Sequence, residues 1–323
     1  MHRALQLAAI GRGNVSPNPM VGCVIVHNEL IIGEGFHQKY GEAHAEVNAV
    51  NAVKDKSKLS ESTVYVTLEP CSHFGKTPPC ADLLIKYQVK KVVICNFDPN
   101  PLVAGKGIEK LQKADIEVVT GILEEKGREL NARFFTLIEK QRPYIILKWA
   151  ETADGFIAGE NFKQVKISNA LSHKLSHKWR SEEDAIMVGT NTALYDKPQL
   201  TVREWTGRNP VRIVVDRNGI LPAPLPATNG EGANTNSLII TDWKQILLAP
   251  PSGAGGAVII EGGAKLLQSF INENLFDEIR VFRSKMYLEK GIAAPVLPKN
   301  IRLTKKQNLM GDELSFYEID ANF

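Results

Sequence analysis

The sequence predicts a layered α/β fold in two domains, and three observations carry that reading. Apolar strand-like runs alternate with helix-patterned segments along most of the chain. The alternation is broken at Glu139-Lys140-Gln141-Arg142-Pro143, where polar residues lead into a proline that restarts the chain in extended form. The chain's 323 residues are long for one core and suit two. These place one domain at residues 1–141 and a second at 142–323, with no internal repeat to make them copies.

Taken in order, residues 1–13 read as a helix stopped by Gly11 and Gly13. Asn14 to Pro19 is a loop with two prolines. Val21–His27 is a buried strand, and Ile31–Phe36 its hairpin partner. A helix starts at His44. The strand Thr63–Leu68 delivers Glu69-Pro70-Cys71 at its C-terminal end, where ligands sit in open α/β sheets. Helices at 81–87, 108–113 and 124–135 alternate with strands at 91–96 and 116–120. In the second half, strands are expected at 144–150, 185–188, 211–215, 238–241, 257–260, 278–282 and 314–319. Helices are expected at 172–181 and from Gly263 to Ile271. Residues 221–237 are rich in Pro, Gly, Ala and Asn and read as a loop.

Composition excludes several classes. A net charge of +3 gives no broad surface for nucleic acid. No apolar run is long enough for a membrane span, and the N-terminus lacks the apolar core of a secretion signal. Four cysteines in so long a chain are no disulfide framework, so a cytoplasmic location is the expectation. Cys23 and Cys95 sit in apolar strand-like runs and read as core residues.

The chemistry concentrates at His44-Ala45-Glu46, answered by Pro70-Cys71 and Cys80. One imidazole and two thiolates are good zinc ligands, and a catalytic zinc keeps its fourth position for water. Glu46 lies two residues beyond His44, within reach of that water without being a ligand. The set resembles zinc-dependent deaminases of the cytidine type, with a carboxyl as proton shuttle. Here eight residues separate the cysteines, instead of the two of the usual pattern. Isolated cysteines are more often small buried hydrophobes; the conjunction of the two motifs favours zinc. A structural zinc module would not need Glu46. A deaminase of nucleic acids or free nucleosides is opposed by the modest charge.

The stretch from Pro70 to Cys80 resembles, more closely, the zinc loop of the bifunctional riboflavin-biosynthesis deaminase/reductase family. So do Asn18-Pro19-Met20-Val21-Gly22, Leu147-Lys148-Trp149-Ala150, Thr152-Ala153-Asp154-Gly155, Asp196 to Arg203, and Glu261-Gly262-Gly263. The resemblance covers nearly the whole chain in order. It implies a cytidine-deaminase-like α/β/α domain followed by a dihydrofolate-reductase-like α/β domain. The implied cofactors are Zn2+ and NADPH, and the implied substrate is a phosphorylated diaminopyrimidinone. The first domain would deaminate it, and the second would reduce its ribosyl group to ribityl. A homo-oligomer, dimer or higher, is also expected. Glu46 is the implied acid/base. Asn18, His73, Lys76, Lys148, Arg180, Leu200, Arg203 and Glu261 match substrate-side positions. Glu151, Val165, Thr192, Asp196 and Gly263 match the cofactor side.

The residues support parts of this independently. His73 and Lys76 are held between two zinc cysteines and suit an anionic substrate. Arg180 and Arg203 can form forked bonds to a phosphate. No G-x-G-x-x-G is present, so the site is not of the Rossmann type; Gly262-Gly263 before a helix suits a cofactor pyrophosphate, with a simple tight turn as the alternative reading of those two residues by themselves. The chain departs from the family at Lys163-Gln164-Val165-Lys166, where Ser-x-Trp is common, and Glu151 replaces a small residue. A deaminase with a weakened reductase is the alternative.

Overall fold

The computed structural model describes residues 1–74, 78–101, 103–221, 237–248 and 256–320. It divides into two compact units, Met1–Gln141 and Arg142–Phe323. Each has its own sheet and core.

The first unit runs α1 (His2–Ile10), β1 (Gly22–His27), β2 (Leu30–Phe36), α2 (Ala45–Ala52), β3 (Thr63–Leu68), α3 (Cys80–Lys86), β4 (Lys91–Asn96), α4 (Lys106–Lys113), β5 (Glu117–Val119), α5 (Glu124–Leu130) and α6 (Ala132–Lys140). Its sheet order is β2-β1-β3-β4-β5. β1 pairs antiparallel with β2 and β3, while β3, β4 and β5 are parallel. Strand alternation divides the apolar side chains between two faces. Cys23, Ile25, Val64 and Val66 pack against Ala49 and Val50 of α2, Leu84 of α3 and Leu111 of α4. Val24 faces the other way, onto Ala4 and Leu7 of α1. The result is the expected three-layer α/β/α arrangement. Gly35 on β2 lets α2 lie against the sheet; a Cβ there would meet Ala49 N at 2.3 Å. That contact sets where α2, and hence His44, begins. The sequence reading made 124–135 one helix. It is broken at Asn131, whose side chain is committed elsewhere: it accepts from Met20 N (2.8 Å) and donates to Met20 O (2.9 Å).

The second unit runs β6 (Tyr144–Glu151), β7 (Phe156–Ala158), α7 (Ala170–Glu182), β8 (Ala185–Gly189), β9 (Val211–Val215), β10 (Ser237–Ile240), α8 (Gln245–Leu248), β11 (Ala257–Glu261), α9 (Ala264–Asn272), β12 (Glu278–Arg283), β13 (Ile292–Ala293), β14 (Ile301–Leu309) and β15 (Asp312–Ile319). Its large sheet has the order β10-β9-β8-β11-β6-β12-β15-β14, and β7 pairs with β13 apart from it. β10 to β12 are parallel and the β15–β14 edge is antiparallel. Asp277 anchors the start of β6, taking hydrogen bonds from Arg142 Nη2 (2.9 Å) and Ile145 N (2.9 Å).

Alternation along β6 sends Ile145, Leu147 and Trp149 into the larger core, with Trp243, Leu267 and Phe270. Lys148 points the other way, toward α7. β14 was not anticipated, because its residues are largely exposed and polar and show no apolar alternation. Cys23 and Cys95 are both buried and unpaired, as expected for core cysteines. No described helix is long and apolar enough to cross a membrane.

Candidate active sites

In the first unit three ligand atoms converge from three elements. His44 is the residue at the N-terminal cap of α2, in extended conformation. Cys71 follows the C-terminal end of β3, and Cys80 opens α3 behind Pro79. Proline at that place fixes φ while forfeiting an N–H the helix does not use. His44 Nδ1 lies 3.6 Å from Cys71 Sγ and 3.3 Å from Cys80 Sγ. With Zn–N of about 2.0 Å and Zn–S of about 2.3 Å, a tetrahedral site has N···S edges of about 3.5 Å. The three donors therefore fit zinc. Their proton chemistry fits it too. Hydrogen bonds to Cys80 and His44 hold the Cys71 thiol low, while the Cys80 thiol, sharing its proton with Cys71, is pushed up. A divalent cation would remove that competition by binding both as thiolates and releasing the shared proton.

Glu46 stands in the first turn of α2 and is almost fully buried. Burial, followed by the Cys71 thiolate, pushes its carboxyl up to about 7. It stands outside the converging triad of His44, Cys71 and Cys80. Glu46, His44 and Cys71 border a cavity of about 330 Å³ whose wall also includes Asn18, His37, His73, Asp98 and Asn100. The Asn18 amide is oriented by His37: Asn18 Nδ2 donates to His37 Nε2 (3.3 Å), and His37 Nδ1 donates to Ala43 O (3.2 Å). His73 borders the same cavity; Lys76 lies outside the described residues.

Sequence reasoning missed His37, Asp98, Asn100 and Glu69. Asp98 and Asn100 follow the C-terminal end of β4, so the strand-end rule would have found them; His37 carries no motif. Glu69 is a buried carboxylate that organises the wall. It accepts from Gly107 N (2.9 Å) and Gly105 N (3.0 Å), and more distantly from Asp98 N and Ile108 N (both 3.4 Å). A negative group on the first N–H groups of α4 is favourable to the helix dipole. Burial raises the Asp98 carboxyl above its ordinary value.

In the second unit Glu261 ends β11, beside Lys148 of β6 and Arg180 of α7. Arg180 grips it with both arms, Nε to Oε1 at 3.2 Å and Nη2 to Oε2 at 2.6 Å. Lys148 Nζ is 3.9 Å from Oε2. Burial alone would raise the Glu261 carboxyl, but Arg180 and Lys148 hold it down to about 2. Burial lowers the Lys148 ammonium. The Arg180 fork, expected on a phosphate, is thus engaged by Glu261. Arg203 keeps one arm on Gln199 Oε1 (2.8 Å), and its backbone N–H donates to His177 Nδ1 (3.2 Å). Leu200 is buried with φ +57°, so its side chain serves the core.

Gly262 and Gly263 both have positive φ (82° and 76°), and Gly263 caps α9. Thr192 Oγ1 would stand 3.3 Å from a Cβ on either glycine. The turn, the bare backbone and the helix N-terminus fit a pyrophosphate. Asp196 ends the same short helical turn as Thr192. Glu151 is placed differently. It faces the side of the sheet opposite Lys148, accepting from Trp149 Nε1 (2.8 Å) and Arg283 Nε (2.7 Å). Val165 packs near Gly159 in the loop before α7. Among the described residues the charged set Lys148, Arg180 and Glu261 is intact.

A hydrolytic zinc site in an α/β/α unit, followed by a separate α/β unit, defines a deaminase fused to a second enzyme domain. Residues 1–96 match the family model for the cytidine and deoxycytidylate deaminase zinc-binding region, and residues 143–288 match the RibD C-terminal domain. A riboflavin biosynthesis protein RibD from Aquifex aeolicus is 39% identical over 98% of this chain and 97% of its own length. One from Bacillus amyloliquefaciens is 36% identical over 92% of this chain and 86% of its own. A solved diaminohydroxyphosphoribosylaminopyrimidine deaminase/5-amino-6-(5-phosphoribosylamino)uracil reductase from Thermotoga maritima superposes with a TM-score of 0.88 at 34% identity, covering 99% of this chain and 97% of that one. The chain belongs to the RibD family of bifunctional riboflavin-biosynthesis deaminase/reductases.

Proposed function

We propose that the two activities divide at the two units, residues 1–141 deaminating and residues 142–323 reducing. The substrate is a 2,5-diamino-6-(5-phosphoribosylamino)pyrimidin-4-one, the class that the Thermotoga enzyme's name describes. One observation carries the first half: His44 Nδ1 stands at tetrahedral-edge distances from two sulfurs, with buried Glu46 beside them but outside the set. Zinc bound there supplies a Lewis acid that makes water acidic near neutral pH. Glu46 carries one proton from the attacking water to the ring nitrogen, then carries the second from the new hydroxyl to the amine, which leaves as ammonia as the carbonyl forms. Asn18, held by His37, and His73 and Lys76 bind the substrate.

In the second unit Thr192, Asp196 and Gly263 hold NADPH, which supplies the hydride when bound. Glu151 and Val165 belong to the same cofactor-side set by resemblance, although the Glu151 carboxylate is engaged with Trp149 and Arg283. Lys148 protonates the sugar oxygen. Glu261 and Arg180 hold the opened sugar, Leu200 shapes the wall behind it, and Arg203 reads the phosphate. The protein works in the cytoplasm as a dimer or higher oligomer on a small molecule, not on nucleic acid.

The test is to supply the diaminopyrimidinone ribosyl phosphate with and without NADPH and to identify each product by mass. Deaminated product alone is expected without NADPH, and the ribityl product with it. Glu46→Gln should retain zinc and lose ammonia release by at least ~10²-fold. Near-wild-type release in that variant would remove Glu46 from its role.

A further inference from the structure

The segment of the second unit that departs from the family pattern holds an arrangement the sequence did not suggest. The rings of Phe162 and Tyr195 are stacked, with centroids 4.6 Å apart and planes within 6°. Both are on the surface, 36% and 56% exposed. Neither contributes to the larger core of the unit. The pair is held by costly backbone. Asn161 and Phe162 both take left-handed φ, 55° and 62°, which residues with side chains adopt reluctantly. A tight turn closes this conformation, with Gly159 N donating to Lys163 O at 2.9 Å. Strain spent on keeping an aromatic ring at the surface is characteristic of a binding site.

The location narrows the ligand. Tyr195 lies in the single turn Thr192–Asp196, and Thr192 abuts Gly262 and Gly263. The ring pair is therefore linked, through one turn of backbone, to the bare-backbone loop that suits a pyrophosphate. Exposed lysines border both rings in sequence: Lys163 and Lys166 after Phe162, and Lys197 after Tyr195. A flat aromatic surface with exposed lysines near it in sequence suits a planar base that carries phosphates. It does not match a lipid tail or an acidic peptide, which have no ring to stack. Aromatic stacking tolerates any heteroaromatic base, because each presents a π-face.

We propose that Phe162 and Tyr195 form a stacking platform for a planar base of the dinucleotide cofactor. This rests on the reading of the second unit as the NADPH-dependent reductase. The platform's two rings come from two elements, the 159–166 loop and the 192–196 turn. A purely structural pin, tying the 159–166 loop to the 192–196 turn, is the competing role.

The experiment is titration of NADPH fluorescence with the full-length, zinc-loaded protein and no pyrimidine present. Phe162→Leu and Tyr195→Leu keep apolar bulk but lose the ring, and each should raise the Kd about tenfold, the scale of one stacked base. Tyr195→Phe keeps the ring and should bind within about twofold of wild type. Adenosine 2′,5′-bisphosphate as competitor separates the two ends of the cofactor. An equal loss for it places the adenine on the platform; an undiminished affinity for it, with NADPH binding lost, places the nicotinamide there. Leucine variants that bind NADPH like wild type overturn the platform, as does a change confined to the melting temperature. If wild-type protein itself fails to bind NADPH, the reductase reading falls and the platform with it. Wild-type binding with unaffected leucine variants sinks the platform alone.

Discussion

Replacing Glu261 by Gln tests the charged centre of the second unit. The carboxylate is buried, gripped by both arms of Arg180, and 3.9 Å from Lys148 Nζ. Its pKa falls from an ordinary 4.5 to about 2, because the two cations outweigh the burial that would raise it. At 1.36 kcal/mol per unit, that difference is worth about 3 kcal/mol of stability at neutral pH. Removing one partner of a buried pair costs a similar ~3–5 kcal/mol, since a cation is left uncompensated. The sign follows from a depressed acid. The contribution is fully present above the unfolded value of about 4.5 and is lost as pH falls toward about 2. Glu261→Gln should therefore cost about 3 kcal/mol at pH 7 but only about 1 kcal/mol at pH 3. The assay is urea unfolding followed by tryptophan emission. All four tryptophans, Trp149, Trp179, Trp205 and Trp243, lie in the second unit, so the signal reports that unit alone. An equal cost at both pH values would refute the charge argument and leave a packing defect as the cause. Reductase activity should fall with stability restored by low temperature, because Lys148 and Arg180 lose the anion that positions them.

Three further outcomes are expected. Cys71→Ser should lower zinc content by metal analysis and stop ammonia release, yet leave reduction of already deaminated substrate; loss of both activities in folded protein would show that the sites are coupled. Arg203 is exposed; if a bound phosphate desolvates it, Arg203→Ala should reduce reductase kcat/KM by roughly 2 to 4 kcal/mol, while Arg203→Lys keeps the charge but loses the fork. An equal effect with a substrate lacking the phosphate would show that Arg203 does not read it. Glu69→Ala strands the N–H groups of Gly105 and Gly107. At ~1.5 kcal/mol per charge-assisted bond it should cost about 3 kcal/mol. Calorimetry should show the first unit melting lower and steady-state kinetics a higher deaminase KM, whereas an unchanged melt would make the Glu69 contacts dispensable.

The two-domain α/β plan of the chain was legible in its amino acids because local chemistry dictates it. Strand alternation, prolines at segment starts and glycines at segment ends are short-range signals, and they locate most strands and helices within a few residues. The metal set was legible for the same reason: His44-Ala45-Glu46 and Pro70-Cys71 carry their chemistry in their types and spacing. Helix 124–135 was misread because Asn131 is diverted by a partner far away in sequence, Met20. β14 was missed because an exposed edge strand needs no apolar face.

Only tertiary structure decided the rest. It brought His44 Nδ1 to both sulfurs, and placed Glu69 on the loop leading into α4. It gave the Arg180 fork to Glu261 and turned Glu151 to the sheet face opposite Lys148. It also stacked Phe162 on Tyr195. Each of these depends on which strands become neighbours. Neighbour choice is set by the summed burial of a whole sheet, and no single segment encodes it.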